Sequence, residues 1–168
     1  MSEVSDASAS SIGTDVEGYR GILFVISSTS GGGKGTLIRR LLDAVPGISY
    51  SVSWTTRTPR PGEQDGVSYH FVTEAEFEKM RARGGFLEWA VVHDHLYGTA
   101  RSVVEQELSE GHDIILEIDV QGASAVRAAL DSVVSIFILP PSFEILRARL
   151  TARMTERPEE LELRLRNA

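Results

Sequence analysis

The stretch "SSTSGGGKGT", Ser27 to Thr36, sets a single lysine, Lys34, among four glycines. Successive backbone N–H groups of such a turn can converge on one point, and a lysine at the head of a following helix adds a full positive charge. A polyphosphate is the ligand that suits both. The stretch departs from the phosphate-cradling pattern G-x-x-x-x-G-K-[ST] at two places: Ser28 stands for the first glycine, and Gly35-Thr36 moves the hydroxyl one residue along. Neither change removes the nest formed by Ser30, Gly31, Gly32, Gly33, Lys34, Gly35 and Thr36, provided that position 28 needs no positive φ. A flexible turn with a solvated lysine is the alternative for a bare match. The flanks argue against it. "GILFVIS" from Gly21 reads as a strand buried on both faces, and "TLIRRLLDAV" sets Leu37, Leu41 and Leu42 at helical spacing, with Arg39 and Arg40 on the other side.

A second group lies in "SVSWTTRTPRPGEQDGVSYHF", where Arg57 and Arg60 are three residues apart beside prolines and Tyr69 follows nine residues after the second. Taken alone, an arginine between prolines reads as a solvated loop charge. Glu117, at the end of "DIILEID", stands where a buried strand would bring an acid next to the glycine loop, the usual place for a carboxylate that orients magnesium waters. A salt bridge on the sheet end is the other reading. His93 and His95 flank Asp94 in a metal-like spacing, but no third ligand is evident in the sequence.

These groups need a scaffold. Asp113 to Asp119 and Val133 to Leu139 are further buried-strand candidates, each followed by a helical stretch, Gly122 to Leu130 and Ser142 to Arg153. Pro140 and Pro141 end the second strand, and Ser142 suits an N-cap. The alternation predicts an α/β fold, a parallel sheet wound with helices. Between Ser49 and Val104 the stretches "SYSVSW", "VSYHFV" and "FLEWAVVH" alternate apolar and polar residues around one helix near Thr73 to Arg83, which predicts a small antiparallel insertion.

The 168 residues suit one domain, with 42% hydrophobic residues and no cysteine. Of the formal charge of -7, Met1 to Gly18 contributes four acidic residues and no basic one, leaving -3 for Tyr19 to Ala168. That segment, 1–18, reads as a disordered acidic tail. A mildly acidic body argues against nucleic acid as partner. The lack of a signal-like start or a long apolar run argues against secretion and membrane insertion and for the cytoplasm.

The blocks "TTRTPRPGE", "FLEWA", "LYGT", "LEIDVQGA", "FILPPS" and "RARLTAR" follow the glycine loop in order. Together they resemble the guanylate kinase family from Gly21 to Ala168. The Gly-Lys-Gly-Thr ending by itself also resembles adenylate kinases, so the loop alone would leave the acceptor open. The resemblance implies a P-loop α/β domain over about 19–168, with a core at about 19–48 and 105–168, a GMP-binding insertion at about 49–104 and a helical lid at about 150–160. It implies transfer of a phosphoryl group from Mg-ATP to GMP, with dGMP as a further acceptor.

Carried over residue by residue, Arg57 and Arg60 would hold the GMP phosphate with the hydroxyls of Tyr69 and Tyr97, chemistry that forked guanidinium groups and phenols suit. Glu88, Ser53 and Thr99 would read guanine, and Asp119 would stand near the bound GMP. For Glu88 the alternative is an outward strand residue between Leu87 and Trp89. Glu117, where many members have aspartate, would serve magnesium with Thr36. Arg149, Arg153 and Arg164 would be catalytic with Lys34, brought in by lid closure, while Arg147, Arg157 and Arg166 read as a solvated face.

Two rival readings are a guanylate-kinase-like protein-binding domain without turnover and a P-loop kinase of another small acceptor. Members of the family continue beyond the point corresponding to Ala168 through another helix, a strand, an adenine-holding loop and a last helix, about forty residues in a domain of ordinary size. The expectation is therefore an open sheet edge along Val133 to Leu139, with Val134, Ile136 and Ile138 short of cover, a tendency to self-associate there, and weak ATP binding and turnover.

Overall fold

A computed structural model describes residues 21–29, 32–92 and 94–152. The tail at 1–18 and almost all of the expected lid lie outside the described residues. Strand β1 (Leu23–Ser28) is internal to a four-stranded parallel sheet that also holds β2 (Ile48–Ser51), β7 (Asp113–Glu117) and β8 (Val133–Ile138), in the order β2-β7-β1-β8. The two-residue period of a strand sorts its apolar run onto two faces. Leu23 and Val25 with Ile114 and Leu116 pack with Val104, Leu108, Ala123 and Val126, while Ile26 and Ile115 pack with Ile38. Burial on both faces is what a continuous apolar strand calls for, and the α/β expectation holds.

Helix α1 (Lys34–Ala44) covers the second face; α3 (Arg101–Ser109) and α4 (Val120–Ala129) supply Val104, Leu108, Ala123 and Val126 to the first. The expected apolar stripe of α1 needs one correction. Ile38 is its buried residue and Leu41 and Leu42 pack beside it, whereas Leu37 is 51% exposed. One helical position is a rotation of about 100°, enough to carry Leu37 off the packed side. Helix α5 (Phe143–Ala152) starts where Ser142 Oγ accepts the Ile145 N–H at 3.3 Å, so the expected cap forms.

The second sheet has the order β4-β3-β6-β5, built from β3 (Trp54–Thr55), β4 (His70–Phe71), β5 (Phe86–Val92) and β6 (His95–Ala100). It is mixed: β3 pairs antiparallel with β6 and parallel with β4. Helix α2 (Glu74–Ala82) begins with a reciprocal capping box between Thr73 and Glu76, and it buries Phe77 and Met80 against Phe86 and Ala100.

Ser49 to Ser51, expected within this insertion, pair instead with Ile114 to Leu116 in the parallel sheet. A strand at the edge of a sheet, covered on one face, shows the same alternation as an antiparallel one. Ile48 and Tyr50 pack against the cluster of Ile26, Ile38 and Ile115.

At the opposite edge β8 pairs with β1 on one side only, and no second partner strand occurs among the described residues. Val134, Ile136 and Phe137 are exposed, as expected of an open edge; Ile138 is half-buried because it packs on the α1 side. Among the described residues no helix is long and apolar enough to cross a membrane.

Candidate active site

The glycine loop leaves β1 at Ser28 and turns back at once, with the Gly32 N–H donating to the Thr29 carbonyl at 3.0 Å. Ser28 does not need to be glycine: among the described residues only Asp94 combines a side chain with a positive φ. Two of the glycines are required. A Cβ on Gly32 would lie 2.9 Å from Ser28 Oγ, and Gly33, the N-cap of α1, has φ 94°. Among the described residues, no acidic residue stands in the first turn of α1 and no side chain caps it, so the positive end of the helix dipole faces the loop without a carboxylate of its own. Ser30 and Gly31 lie outside the described residues.

Lys34 opens the helix with its Nζ 4.0 Å from Glu117 Oε1. Glu117 ends β7 in register with Ile26 of β1, as the strand reading requires, and its other oxygen accepts from the Tyr50 hydroxyl at 3.2 Å. Burial, and then the nearby Glu117 charge, push the Tyr50 phenol well above its ordinary pKa, so it stays a donor. Thr36 is exposed two residues into the helix. Arg149, expected to arrive only on closure, already donates from Nη1 to the Gly32 carbonyl at 3.1 Å. Arg153 and Arg164 lie outside the described residues.

Arg57 sits just beyond β3, 9% exposed, with every arm of its fork engaged. Nε donates to the Tyr97 hydroxyl at 3.2 Å, Nη1 to the Thr58 carbonyl at 2.7 Å and Nη2 to Glu63 Oε1 at 2.9 Å. The guanidinium also lies 5.4 Å from the centre of the Tyr69 ring. Burial opposes its charge, but the bonds to Glu63 and Tyr97 outweigh burial and hold its pKa above the ordinary value. Tyr69 and Tyr97 meet edge to face, and burial together with the Glu117 charge raises Tyr69 to about 12. Glu117 thus stands between Lys34, 4.0 Å away, and the tyrosines whose phenols its charge raises. Arg60 is exposed, its backbone N–H donating to Glu63 Oε2 at 2.7 Å.

Glu63 is the residue that motif reasoning passed over. Its carboxylate ties the Arg57 fork to the Arg60 backbone, and although burial acts to raise its pKa, the bonds from Arg57 and Arg60 keep it below the ordinary carboxylate value. The only available signal was the "PRPGE" turn that closes the arginine pair. Tyr50 carries less signal still, because it meets Glu117 only when β2 lies beside β7 in the parallel sheet.

Glu88 is not an outward residue. Phe86 packs in the cluster of Phe77 and Met80 and Leu87 in that of Ala123 and Val126, as alternation requires, but Glu88 also lies on the α4 side, beside Gly122; a bulge between Phe86 and Glu88 shifts the pairing with β6 and accounts for it. Thr99 lies opposite and donates from Oγ1 to Glu88 Oε1 at 2.6 Å. Burial pushes the Glu88 carboxyl up to about 7; the Thr99 bond works against this and the Asp119 charge adds to it. Asp119 caps α4, accepting the Gly122 N–H at 2.8 Å, and Ser53 is buried two residues past β2.

Among the described residues, the buried hydroxyls of Thr29 and Ser51 have no hydrogen-bond partner. They sit at the C-terminal ends of β1 and β2, the end of an open parallel sheet where ligands bind. With His93 outside the described residues, no three His, Cys, Asp or Glu side chains among those described converge to hold a metal ion.

The family model for guanylate kinase matches residues 20–168. A guanylate kinase of Symbiobacterium thermophilum is 51% identical over 89% of this chain and 71% of its own length, and one of Chromohalobacter salexigens is 52% identical over 89% and 69%. The crystal structure of guanylate kinase from Anaplasma phagocytophilum superposes with a TM-score of 0.69 at 39% identity, over 78% of this chain and 66% of that one. The chain thus spans about seven tenths of the length of these curated relatives. With a glycine loop seated between a buried strand and an uncapped helix, and the match running through the whole of the sheet and its insertion, the chain belongs to the guanylate kinase family.

Proposed function

We infer that the chain transfers the γ-phosphoryl group of ATP to GMP, giving ADP and GDP, with dGMP as a second acceptor. The observation that carries this reading is Glu88. A carboxylate 5% exposed, hydrogen-bonded to Thr99 and without a cationic partner among the described residues, is costly to bury unless a ligand completes it. The N1–H and 2-amino groups of guanine are two donors on one edge, which adenine does not present.

On this reading Lys34 and the loop residues Ser30, Gly31, Gly32, Gly33, Gly35 and Thr36 hold the ATP phosphates. Arg57, Arg60, Tyr69 and Tyr97 hold the GMP phosphate, and Ser53, Glu88, Thr99 and Asp119 surround the base. The acceptor is already a phosphate oxygen, so no covalent intermediate is required. Catalysis is alignment plus neutralisation of charge on the transferring group, by Lys34, Arg149, Arg153 and Arg164.

Glu117 and Thr36 offer hard oxygen donors beside the loop, and so few protein ligands suit a cation that keeps several waters and takes the rest from phosphate, as magnesium does. When bound there it would supply charge neutralisation at the β- and γ-phosphate oxygens. Tyr50 keeps Glu117 directed toward the loop.

One coupled assay tests the reading: ADP release with GMP, dGMP, AMP and UMP as acceptors in the presence of magnesium. Release with the two guanine nucleotides alone supports it. Release with none favours a protein-binding domain without turnover, and release with AMP or UMP favours another acceptor. The reaction belongs to the cytoplasm, where both nucleotides are available. The edge of β8, which has no second partner strand among the described residues and exposes Val134, Ile136 and Phe137, suits pairing with β8 of a second copy of this chain, which the mass in solution tests.

A further inference from the structure

Gly122 is the third residue of α4, in a helix turn where alanine would be better by propensity. Its φ lies outside the left-handed region, so no backbone requirement selects glycine. Space does. A Cβ at this position would stand 2.6 Å from Glu88 Oε2, 3.1 Å from Glu88 Cδ and 3.4 Å from Asp119 Oδ1. Contacts below 3.0 Å are not sustained, so any side chain at 122 must displace the Glu88 carboxylate. Glu88 has little room to yield: Thr99 holds its other oxygen at 2.6 Å, and Leu87 before it is locked into the core.

We propose that Gly122 is a specificity-determining position, which acts through Glu88 by leaving the recess that sets the carboxylate where the base of the acceptor is read. The inference rests on the assignment of Glu88 to guanine. Gly122 itself touches no substrate in this account and is a positioning residue. The recess is assembled from three separate elements: the bulge on β5 turns Glu88 inward, Thr99 on β6 fixes one oxygen, and the bare Cα of Gly122 on α4 admits the other.

The test is a double-mutant cycle on Gly122→Ala and Glu88→Ala, measuring KM for GMP, KM for ATP, kcat and the GMP-over-AMP preference. Gly122→Ala alone is expected to raise the GMP KM by about tenfold, the scale of a lost hydrogen bond to a charged group, while KM for ATP and kcat at saturating GMP hold. In the Glu88→Ala background the same substitution is expected to change the GMP KM by less than about twofold, because the atom it would strike is gone.

Equal losses in both backgrounds, or an unchanged GMP KM in Gly122→Ala, would overturn the proposal. If Gly122→Ala fails to fold, the double variant decides: its folding supports the clash with Glu88, and its failure shows that Gly122 serves helix packing instead. Should Glu88→Ala by itself leave GMP binding intact, the guanine assignment falls, a result separate from any loss of coupling.

Discussion

Glu88 gives a prediction whose size can be worked from its surroundings. Its carboxyl lies near 7, against an ordinary value of 4.5, chiefly because it is buried. At about 1.36 kcal/mol per unit, the difference corresponds to roughly 3 kcal/mol. A carboxyl whose pKa is raised on folding holds its proton in the native state over a range where the unfolded chain has lost it. The resulting stabilisation is complete below about 4.5 and is lost as pH rises to about 7. Glu88→Gln carries no proton to lose. The stability of the variant minus that of the parent should therefore climb by about 3 kcal/mol between pH 4.5 and 8, or about 6–12 °C in melting temperature for a domain of this size.

The same substitution should weaken GMP binding by about 1.5–3 kcal/mol, on the order of ten- to 150-fold, because an amide offers one acceptor where the carboxylate offered two with charge. It should also remove a proton release that accompanies GMP binding below pH 7 in the parent. Calorimetry in two buffers of different ionisation enthalpy reads that proton directly. Comparing parent with variant cancels the titration of the GMP phosphate itself, which falls near pH 6. Parallel stability profiles for the two proteins, or equal proton release, would refute the account of Glu88.

Three shorter expectations follow from other contacts. Lys34→Ala should lower kcat by roughly 10²–10³ and leave the GMP dissociation constant unchanged; a fall in GMP affinity as large as that in ATP affinity would show that the two sites are not separate. Glu63→Gln should raise the GMP KM by about tenfold with little change in kcat, because it loosens the Arg57 fork rather than the reacting groups. Equal loss in both parameters, or none in KM, would count against that role. Ile136→Lys places a charge on the edge strand β8 and should shift any dimer to monomer in sedimentation; the same mass before and after would remove this edge as the contact.

What the sequence determined by itself was whatever depends on neighbours along the chain. The apolar run of β1, the glycines that follow and the helix after them are contiguous, so the phosphate loop could be read without knowing the fold, and the parallel sheet followed from the alternation of buried strands with helices. Ordered blocks of residues disclosed the family for the same reason.

Tertiary structure alone decided which residues meet across the chain. Alternation does not distinguish an edge strand of the parallel sheet from a strand of the insertion, and the bond from Tyr50 to Glu117 exists only because β2 pairs with β7. Strict period-two reading left the direction of Glu88 open, because a bulge is a mismatch between two strands and has no signature in one of them. The closeness of Gly122 to Glu88 joins residues 34 positions apart. Local propensity favours a side chain at 122, and only the packing of α4 against β5 shows why there is none.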